Sequence, residues 1–268
     1  MSPQAYYQAR HRAQRRQAQE EMVLALFRTV RARHPRMGVR KIYTLIRPQL
    51  ADWGIPWGRD RLFALARAHG LLVPPRRSRP APAPTGTLDL PNRLARWRPN
   101  RPGQALVADL TYLLTEVGHR FLFLLMDLAA RFIVGWHLAA SLSTDGALVA
   151  LRRALEQWPP EPHPEPIHHS DHGVQYTSQT YQRALTEAGL VPSLGRVGVP
   201  QDNAHMERAI GVLKGEYGLE GPFPTEEVAY EAVAEAIHLY NHERPHGALG
   251  YKTPAEVYFM YQSVELPV

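Results

Sequence analysis

The sequence predicts an α/β protein in which a mixed five-stranded sheet with helices on its faces follows a basic all-α region. Two observations lead to this fold. The first part of the chain combines helix-period apolar residues with many arginines, and the part after a proline-rich stretch alternates β-rich apolar runs with amphipathic segments. Charged residues interrupt even the most apolar stretch, and the first thirty residues lack an apolar signal core. We therefore expect neither a membrane span nor secretion.

Charge is distributed unevenly along the chain. Residues 1–100 carry 20 of the 31 Lys and Arg residues and 5 of the 25 Asp and Glu residues, a local charge of +15, whereas residues 101–268 carry −9. This asymmetry indicates a polyanionic partner, and nucleic acid is the leading candidate because neutralising its phosphates releases counterions. A basic tail that only improves solubility is the alternative. The absence of cysteine fits a reducing compartment, so we expect a cytoplasmic, nucleoid-associated protein.

The all-α region is predicted in two parts. Residues 1–34 form a basic N-terminal helix, because positions 4–34 contain neither proline nor glycine. Residues 35–75 form two further amphipathic helices with glycines in the turns, an arrangement that favours a helix-turn-helix DNA-binding domain over a plain helical bundle. The predicted DNA contacts in this domain are Arg40, Lys41, Arg59 and Arg61.

Residues 76–100 are rich in proline and arginine, which predicts a stiff, extended linker rather than a packed element. Arg76 and Arg77 at its start are two further candidate DNA contacts.

Residues 101–220 predict the α/β core, followed by a C-terminal helical extension over 221–268. Three β-rich runs, 104–116, 119–129 and 131–141, have short separations and predict an antiparallel meander. A helix capped by Thr144 or Asp145, a strand in "PIHHSD", a helix from about Ser178, a strand in "LVPSL" and helices over 203–216 and 225–241 follow. This order, βββαβαβα, is that of an RNase H-like fold.

Three carboxylates occupy distinctive positions in the core. Asp109 is embedded in the first apolar strand, where a charge is costly unless paired or bound to metal, although a solvent-facing edge position is the alternative. Asp171 follows the fourth strand, and Ser178 or Thr177 is a better cap than Asp171 for the next helix. Glu207 shares a helix face with Asn203 and Lys214. Three such oxygen ligands suit Mg²⁺ or Mn²⁺, and two ions would support phosphoryl transfer.

Four segments in this order resemble a known family: "ADLTYL", "HSDHGVQYTS", "DNAHMERAIGVLKGE" and "YNHERPHGALGYKTPAEVY". They look like the DDE transposases of bacterial insertion sequences, specifically the catalytic subunits encoded in a second reading frame and related to retroviral integrases. The resemblance covers about residues 35–260 and includes "MGVRKIYTLIR", which is similar to the family's second helix-turn-helix segment. It implies that Asp109, Asp171 and Glu207 bind the metal ions, that Lys214 contacts DNA near the scissile phosphate, and that Asn203 supports the site.

The residues after Glu207 are "RAIGVLK", where many members of this family carry aromatic residues. The family's leading subunit, with its own helix-turn-helix and zipper, is not evident in the chain. We therefore expect double-stranded DNA and a second copy of the chain as partners, with the product of an upstream overlapping reading frame as a further candidate. His169 and His172 are predicted to shape the site rather than bind zinc. Glu187, Glu216 and Glu243 are predicted to be solvated charges.

The sequence thus predicts a DNA transposase that performs metal-dependent strand cleavage and strand transfer. Two alternatives stay open at this point. An RNase H-like nuclease or resolvase would cleave DNA without joining it. A domesticated DNA-binding protein would use the fold only as a scaffold, although it would have no reason to keep all three carboxylates and Lys214.

Overall fold

The computed structural model describes residues 3–74, 88, 90–158, 163–196, 199 and 203–262. The chain divides into two compact units, Met1–Arg76 and Arg77–Val268. The helices of the first unit are α1 (Pro3–Arg33), α2 (Val39–Asp52) and α3 (Arg59–Ala68). Residues 76–87 and 89 of the predicted linker, with the candidate DNA contacts Arg76 and Arg77, lie outside the described residues. Residues 90–100 are described, and Leu94 is buried in a core of the second unit, so this part of the predicted linker is packed.

The three helices of the first unit pack around one apolar core. Val23 and Phe27 near the end of α1 are buried against residues of α2 and α3 that include Ile42, Ile46 and Leu62. The first four turns of α1 are exposed, because that part of the helix consists of polar and basic residues. The apolar periodicity of the sequence therefore determines which stretch of α1 is part of the core.

The second unit is built on a five-stranded sheet. Its strands are β1 (Ala105–Thr115), β2 (Gly118–Asp127), β3 (Ile133–Ala139), β4 (Ile167–Ser170) and β5 (Val191–Leu194). Their order across the sheet is β3-β2-β1-β4-β5, with β1–β2 and β2–β3 antiparallel and β1–β4 and β4–β5 parallel. The predicted meander and the mixed five-stranded sheet are confirmed, and the topology is that of an RNase H-like core.

Helices cover both faces of this sheet. They are α4 (Thr144–Glu156), α5 (Val174–Thr177), α6 (Gln179–Glu187), α7 (Ala204–Tyr217), α8 (Glu226–His238) and α9 (Pro254–Gln262). α4, α6 and α9 share one apolar core with the even-numbered residues of β1, and α7 and α8 share the other with the odd-numbered ones. Because side chains of a strand alternate between faces, β1 contributes to both cores.

Two local features differ from the prediction. α4 begins after Ser143, and neither Thr144 nor Asp145 caps it, because both lie inside its first turn. The long helix predicted over 225–241 ends at His238 and continues as a π-helical turn, Leu239–Glu243. In that turn Asn241 is buried and hydrogen-bonds the backbone N–H and C=O of Ile133, both at 2.9 Å, which fastens the C-terminal segment to the edge strand.

The contact between β3 and α4 requires glycine. A Cβ built on Gly135 would lie 2.5 Å from Ala150 O and 2.6 Å from Ala154 Cβ. We expect Gly135→Ala to destabilise the protein by about 1–3 kcal/mol in urea unfolding, because α4 must move away from the sheet. Gly211→Ala is the control: nothing lies within 4 Å of its Cβ, and alanine is the better helix former, so unchanged or increased stability is expected. Equal effects of the two changes would contradict this packing argument.

Candidate active site

The pairing of β1 with β4 brings two of the predicted carboxylates together. The last paired positions of these parallel strands are Val107 and His169. Asp109 and Asp171 each stand two residues further on, so they are level with each other at the carboxyl end of β4. Asp109 and Asp171 are more than sixty residues apart in the sequence, but the crossover connection through α4 returns the chain to the strand next to β1 and so brings the two residues close in space.

Strand alternation directs Asp109 towards α7. Val107, two residues earlier, lies in the same apolar core as Met206 and Ala209 of α7. Asn203, the N-cap residue of α7, is buried and donates from Nδ2 to the carbonyl of Ala108 at 3.1 Å. This hydrogen bond fixes the start of α7 beside the strand position that precedes Asp109. Glu207 then lies on the first turn of α7, with an exposed side chain.

The pKa shifts indicate that the three carboxyl groups lie within electrostatic reach of one another. Burial, the charge of Asp171 and more weakly that of Glu207 raise the pKa of Asp109 to about 8, against a hydrogen bond from Leu110 N that lowers it. Burial raises the pKa of Asp171, and burial and then Asp171 raise that of Glu207. Each carboxyl group therefore has a raised pKa, as expected for partly or fully buried acidic groups that lie near one another.

Asp171 makes a local hydrogen bond but does not cap α6. Its Oδ1 accepts a hydrogen bond from Gly173 N at 2.9 Å, at the start of the four-residue helix α5, which the sequence did not predict. Ser178, as predicted, caps α6 by accepting from Tyr181 N at 3.3 Å. The hydrogen bond to Gly173 orients the Asp171 carboxylate and leaves its second oxygen available to a ligand.

The histidines around Asp171 have different surroundings. His172 is buried beside Asp171, whose pKa its imidazole lowers, and its Nε2 donates to Gly195 O at 2.6 Å. The Nδ1 of buried His169 lies 2.8 Å from Ser193 Oγ, which ties β4 to β5. Burial lowers the pKa of His168 to about 3, and its Nε2 lies 3.0 Å from Tyr181 Oη. The site-shaping role of His169 and His172 stays a prediction.

Lys214, two turns after Glu207 on α7, approaches a residue that the sequence analysis missed. Its Nζ lies 4.5 Å from the ring centroid of Tyr112, a side chain that is 58% exposed on β1. The ring of His119 meets Tyr112 edge-on, with 5.4 Å between centroids. Tyr112 stands three residues after Asp109 in "ADLTYL", so its position in that motif was the available signal.

The candidate DNA contacts of the first unit differ in accessibility. Arg40 is exposed at the start of α2, and Lys41 is half-buried. Arg59 is exposed and pairs with the adjacent Asp60 at 2.8 Å. The guanidinium of Arg61 lies 3.9 Å from the ring centroid of Trp57 and 3.6 Å from Glu20, so packing fixes its direction.

Two further acidic residues have structural surroundings. Asp127 is fully buried at the end of β2 and accepts from the N–H groups of Gly103 and Ala130, while burial raises its pKa to about 6. The prediction that Glu216 is a solvated charge is wrong. Glu216 receives two hydrogen bonds, of 2.7 and 2.8 Å, from Arg244, a buried residue of the C-terminal segment.

The donor set of the site is chemically suited to a divalent cation. Asp109 and Asp171 supply hard carboxylate oxygens, and Asn203 Oδ1 is buried without a hydrogen-bond partner among the described residues. Within those same ranges, however, no three His, Asp or Glu side chains converge closely enough to hold one ion. Strand register places Asp109 level with Asp171, and the exposed side chain of Glu207 lies on the neighbouring helix.

Comparison with known proteins agrees with this fold. Residues 99–200 and 188–254 each match a family model described as integrase core domain. A chain of the simian T-cell lymphotropic virus intasome, in complex with a PP2A regulatory subunit, superposes with a TM-score of 0.53 over 86% of this chain and 77% of that chain, at 18% identity. In the part of the chain that the structure describes, no helix is both long and apolar enough to cross a membrane.

Two relatives from bacterial insertion sequences are more similar in sequence. A protein of insertion sequence element IS986/IS6110 of Mycobacterium tuberculosis is 35% identical over 186 residues, which are 67% of this chain and 66% of that protein. The transposase for insertion sequence element IS629 of Shigella sonnei is 33% identical over 270 residues, which are 96% of this chain and 87% of that protein. Together with the integrase core, this near full-length likeness shows that the chain belongs to the family of insertion-sequence transposases.

Proposed function

We propose that this protein is a DDE-type transposase that cleaves DNA at the ends of its insertion sequence and joins the freed ends to target DNA. The observation that carries the proposal is the meeting of Asp109 and Asp171 on adjacent parallel strands, with Glu207 on the neighbouring helix. The transposase for IS629, to which the chain is similar over almost its whole length, supports the same activity.

The metal ligands in this proposal are Asp109, Asp171 and Glu207. One or two Mg²⁺ or Mn²⁺ ions bound there would activate the attacking oxygen and stabilise the charge on the leaving oxygen. In this proposal Asp109 and Asp171 supply two of the ligands, and the solvent-exposed Glu207 side chain supplies the third by adopting a rotamer that points towards them. Such a change costs little, because side chains at exposed positions exchange rotamers freely.

The reaction consists of two phosphoryl transfers. In the first, the oxygen of water bonds to phosphorus, the bond from phosphorus to the 3′ oxygen breaks, and a 3′-OH is released. In the second, this 3′-OH bonds to a phosphorus of target DNA and displaces a target 3′ oxygen. Such reactions depend mainly on positioning and charge stabilisation. Lys214, directed by the face of Tyr112, would hold a DNA phosphate near the reacting group.

The remaining assignments follow from the substrate. Arg40, Lys41, Arg59 and Arg61 would contact DNA from the first unit, whose helices are proposed as a helix-turn-helix domain. Double-stranded element ends and target DNA would be bound by two or more copies of the chain, and binding DNA would place the protein at the nucleoid. A partner from an upstream overlapping reading frame stays a prediction.

A strand-transfer assay on labelled duplex DNA tests the activity. The duplex would carry the inverted repeat expected in the DNA that flanks the gene. The wild-type protein should give both nicked and joined products with Mg²⁺ or Mn²⁺ and neither with EDTA. Glu207→Gln should lower product formation by at least about 100-fold, because one charge-stabilising ligand is lost. Glu187→Gln, in an exposed pair on α6, is the control and should keep full activity.

The same assay separates the alternatives. Nicked products without joined products would favour a nuclease or resolvase. Salt-dependent DNA binding with no products under any metal condition would favour a DNA-binding protein that uses the fold as a scaffold. Full activity of Glu207→Gln would show that Glu207 is not a metal ligand.

A further inference from the structure

A basic cluster lies outside the carboxylate site. It consists of Arg98, Arg131 and Arg208 together with His205, and is called here the arginine cluster. Arg131 Nη2 lies 3.5 Å from His205 Nε2. Arg208 stands three positions after His205 on α7, so the two side chains lie on the same face of the helix. Arg98 acts electrostatically on Arg131. Arg131 and Arg208 therefore both lie beside His205, and Arg98 lies near Arg131.

No carboxylate of the described residues forms an ion pair with these three arginines. The carboxylate that acts on Arg131 is Asp127, which already accepts hydrogen bonds from Gly103 N and Ala130 N. Arg131 Nη1 is buried and has no hydrogen-bond partner in the described structure. A buried donor on a charged group is costly to leave unsatisfied, so the surroundings of Arg131 suit an anion. Arg131 and Arg208 stand out because they belong to residues 101–268, which carry a net charge of −9.

The backbone at Arg131 is strained. Its φ of 60° lies in the left-handed region, in the turn between β2 and β3. An L-residue there costs roughly 1–2 kcal/mol relative to glycine. The chain thus carries an arginine at a position where glycine or asparagine would fold more easily. Strain of this kind is typical of positions that bind a ligand.

The cluster and the carboxylate site occupy different flanks of α7. Met206 and Ala209 face the core, His205 and Arg208 lie on one side of that buried stripe, and Glu207 lies on the other. Arg98 and Arg208 are exposed, so a large ligand can reach them. A phosphate held by the cluster is therefore not the phosphate that reacts at Asp109 and Asp171.

We propose that the arginine cluster binds backbone phosphates of a DNA segment other than the one held at the carboxylates. Guanidinium groups match phosphate oxygens through paired N–H donors, so several of them in one region suit the backbone phosphates of DNA. The inference rests on the proposed function in that DNA is the ligand. It does not depend on catalysis, because binding to the cluster requires neither metal nor the carboxylates.

The test measures binding of the full chain to duplex DNA by fluorescence anisotropy, with EDTA present and NaCl between 50 and 200 mM. The double variant Arg131→Asn/Arg208→Gln removes two charges, and asparagine tolerates the left-handed backbone. The slope of log affinity against log salt should become shallower by about 1–2, because each lost phosphate contact contributes about 0.9. Affinity at 100 mM NaCl should fall by at least about 10-fold.

Two control variants show whether a change in DNA binding comes from the loss of charge in the arginine cluster, from the loss of any two positive charges, or from a folding defect. Arg152→Gln/Arg183→Gln also removes two charges, from exposed positions on α4 and α6, and should keep the wild-type slope. Arg131→Lys/Arg208→Lys keeps both charges and should retain most of the slope. Equal slopes for the cluster variant and for Arg152→Gln/Arg183→Gln would overturn the proposal. Because no cleavage occurs in EDTA, this result is independent of whether the wild-type protein joins DNA.

Discussion

Asp109→Asn is expected to abolish cleavage and joining while making the metal-free protein more stable. If Asp109 is a metal ligand, as proposed, the activity should fall at least about 1,000-fold, because such a ligand supplies several kcal/mol of charge stabilisation in the transition state. The gain in stability has a separate cause. Folding moves the Asp109 carboxyl out of water and beside Asp171, which raises its pKa from 3.8 to about 8. An amide of nearly the same shape carries no charge to desolvate.

The sign of the pH dependence follows from that shift. Below pH 4 the carboxyl is protonated in both the folded and the unfolded chain, so Asp109 does not oppose folding there. As the pH rises from 4 towards 8, the unfolded chain releases this proton while the folded chain keeps it, so the free energy of unfolding decreases over this range. The variant should therefore differ little from wild type at pH 4 and exceed it by about 1–2 kcal/mol at pH 8, an amount reduced by the partial exposure of the side chain.

Thermal unfolding with EDTA at several pH values measures this difference. At pH 8 the melting temperature of Asp109→Asn should exceed that of wild type by about 4 °C. Addition of Mn²⁺ should raise the wild-type melting temperature and leave that of the variant almost unchanged, because a ligand that binds the folded state stabilises it. Asp145→Asn, in the exposed first turn of α4, is the control. A variant that is less stable than wild type at pH 8 would contradict the desolvation argument.

Arg244→Met is expected to have the largest effect on folding. Arg244 is 4% exposed and donates two hydrogen bonds of 2.7 and 2.8 Å to Glu216, and its Nη1 lies 3.2 Å from His246 Nε2. Removing the guanidinium leaves the Glu216 carboxylate largely buried without its cation, a change that costs about 3–5 kcal/mol. The urea midpoint of the second unit should fall accordingly.

Two further variants show whether the buried charge is the cause. Arg244→Met/Glu216→Leu removes both charges and should recover much of the lost stability, because an apolar pair can replace a buried ion pair. Arg183→Met breaks an exposed pair at 3.8 Å, with side chains 81% and 72% exposed, and should change stability by less than about 0.5 kcal/mol. Equal losses for Arg244→Met and Arg183→Met would show that burial of the Arg244 pair is unimportant.

The sequence predicted the fold well where patterns are local. The β1–β2–β3 meander followed from three short-spaced apolar runs, and α7 followed from its amphipathic spacing. Caps were less predictable. Thr144 and Asp145 both qualify by residue type as N-caps, yet the helix begins at Thr144 and Ser143 occupies the cap position without a side-chain hydrogen bond. Residue type alone does not specify where the first hydrogen-bonded turn closes.

Long-range partners were not accessible from the sequence. Glu216 and Arg244 are each unremarkable on a helix or in a loop, and only the return of the C-terminal segment onto the core buries them together. The same holds for Arg98, Arg131 and Arg208, which come from three separate segments. Asp127 and Asp109 look alike as aspartates in apolar strands, and their different surroundings distinguish them. Backbone N–H groups donate hydrogen bonds to the Asp127 carboxylate, whereas two further carboxylates, Asp171 and Glu207, lie near that of Asp109.

The sequence by itself determined the class of the protein and the candidate ligands, because strand and helix periodicity and the spacing of Asp109, Asp171 and Glu207 are properties of the linear chain. The tertiary structure alone decided which of these side chains meet. The parallel pairing of β1 with β4 places Asp171 level with Asp109, and the hydrogen bond from Asn203 to Ala108 sets α7 beside them. Distances between side chains depend on strand register and helix docking, and the free energy of packing the whole core determines both.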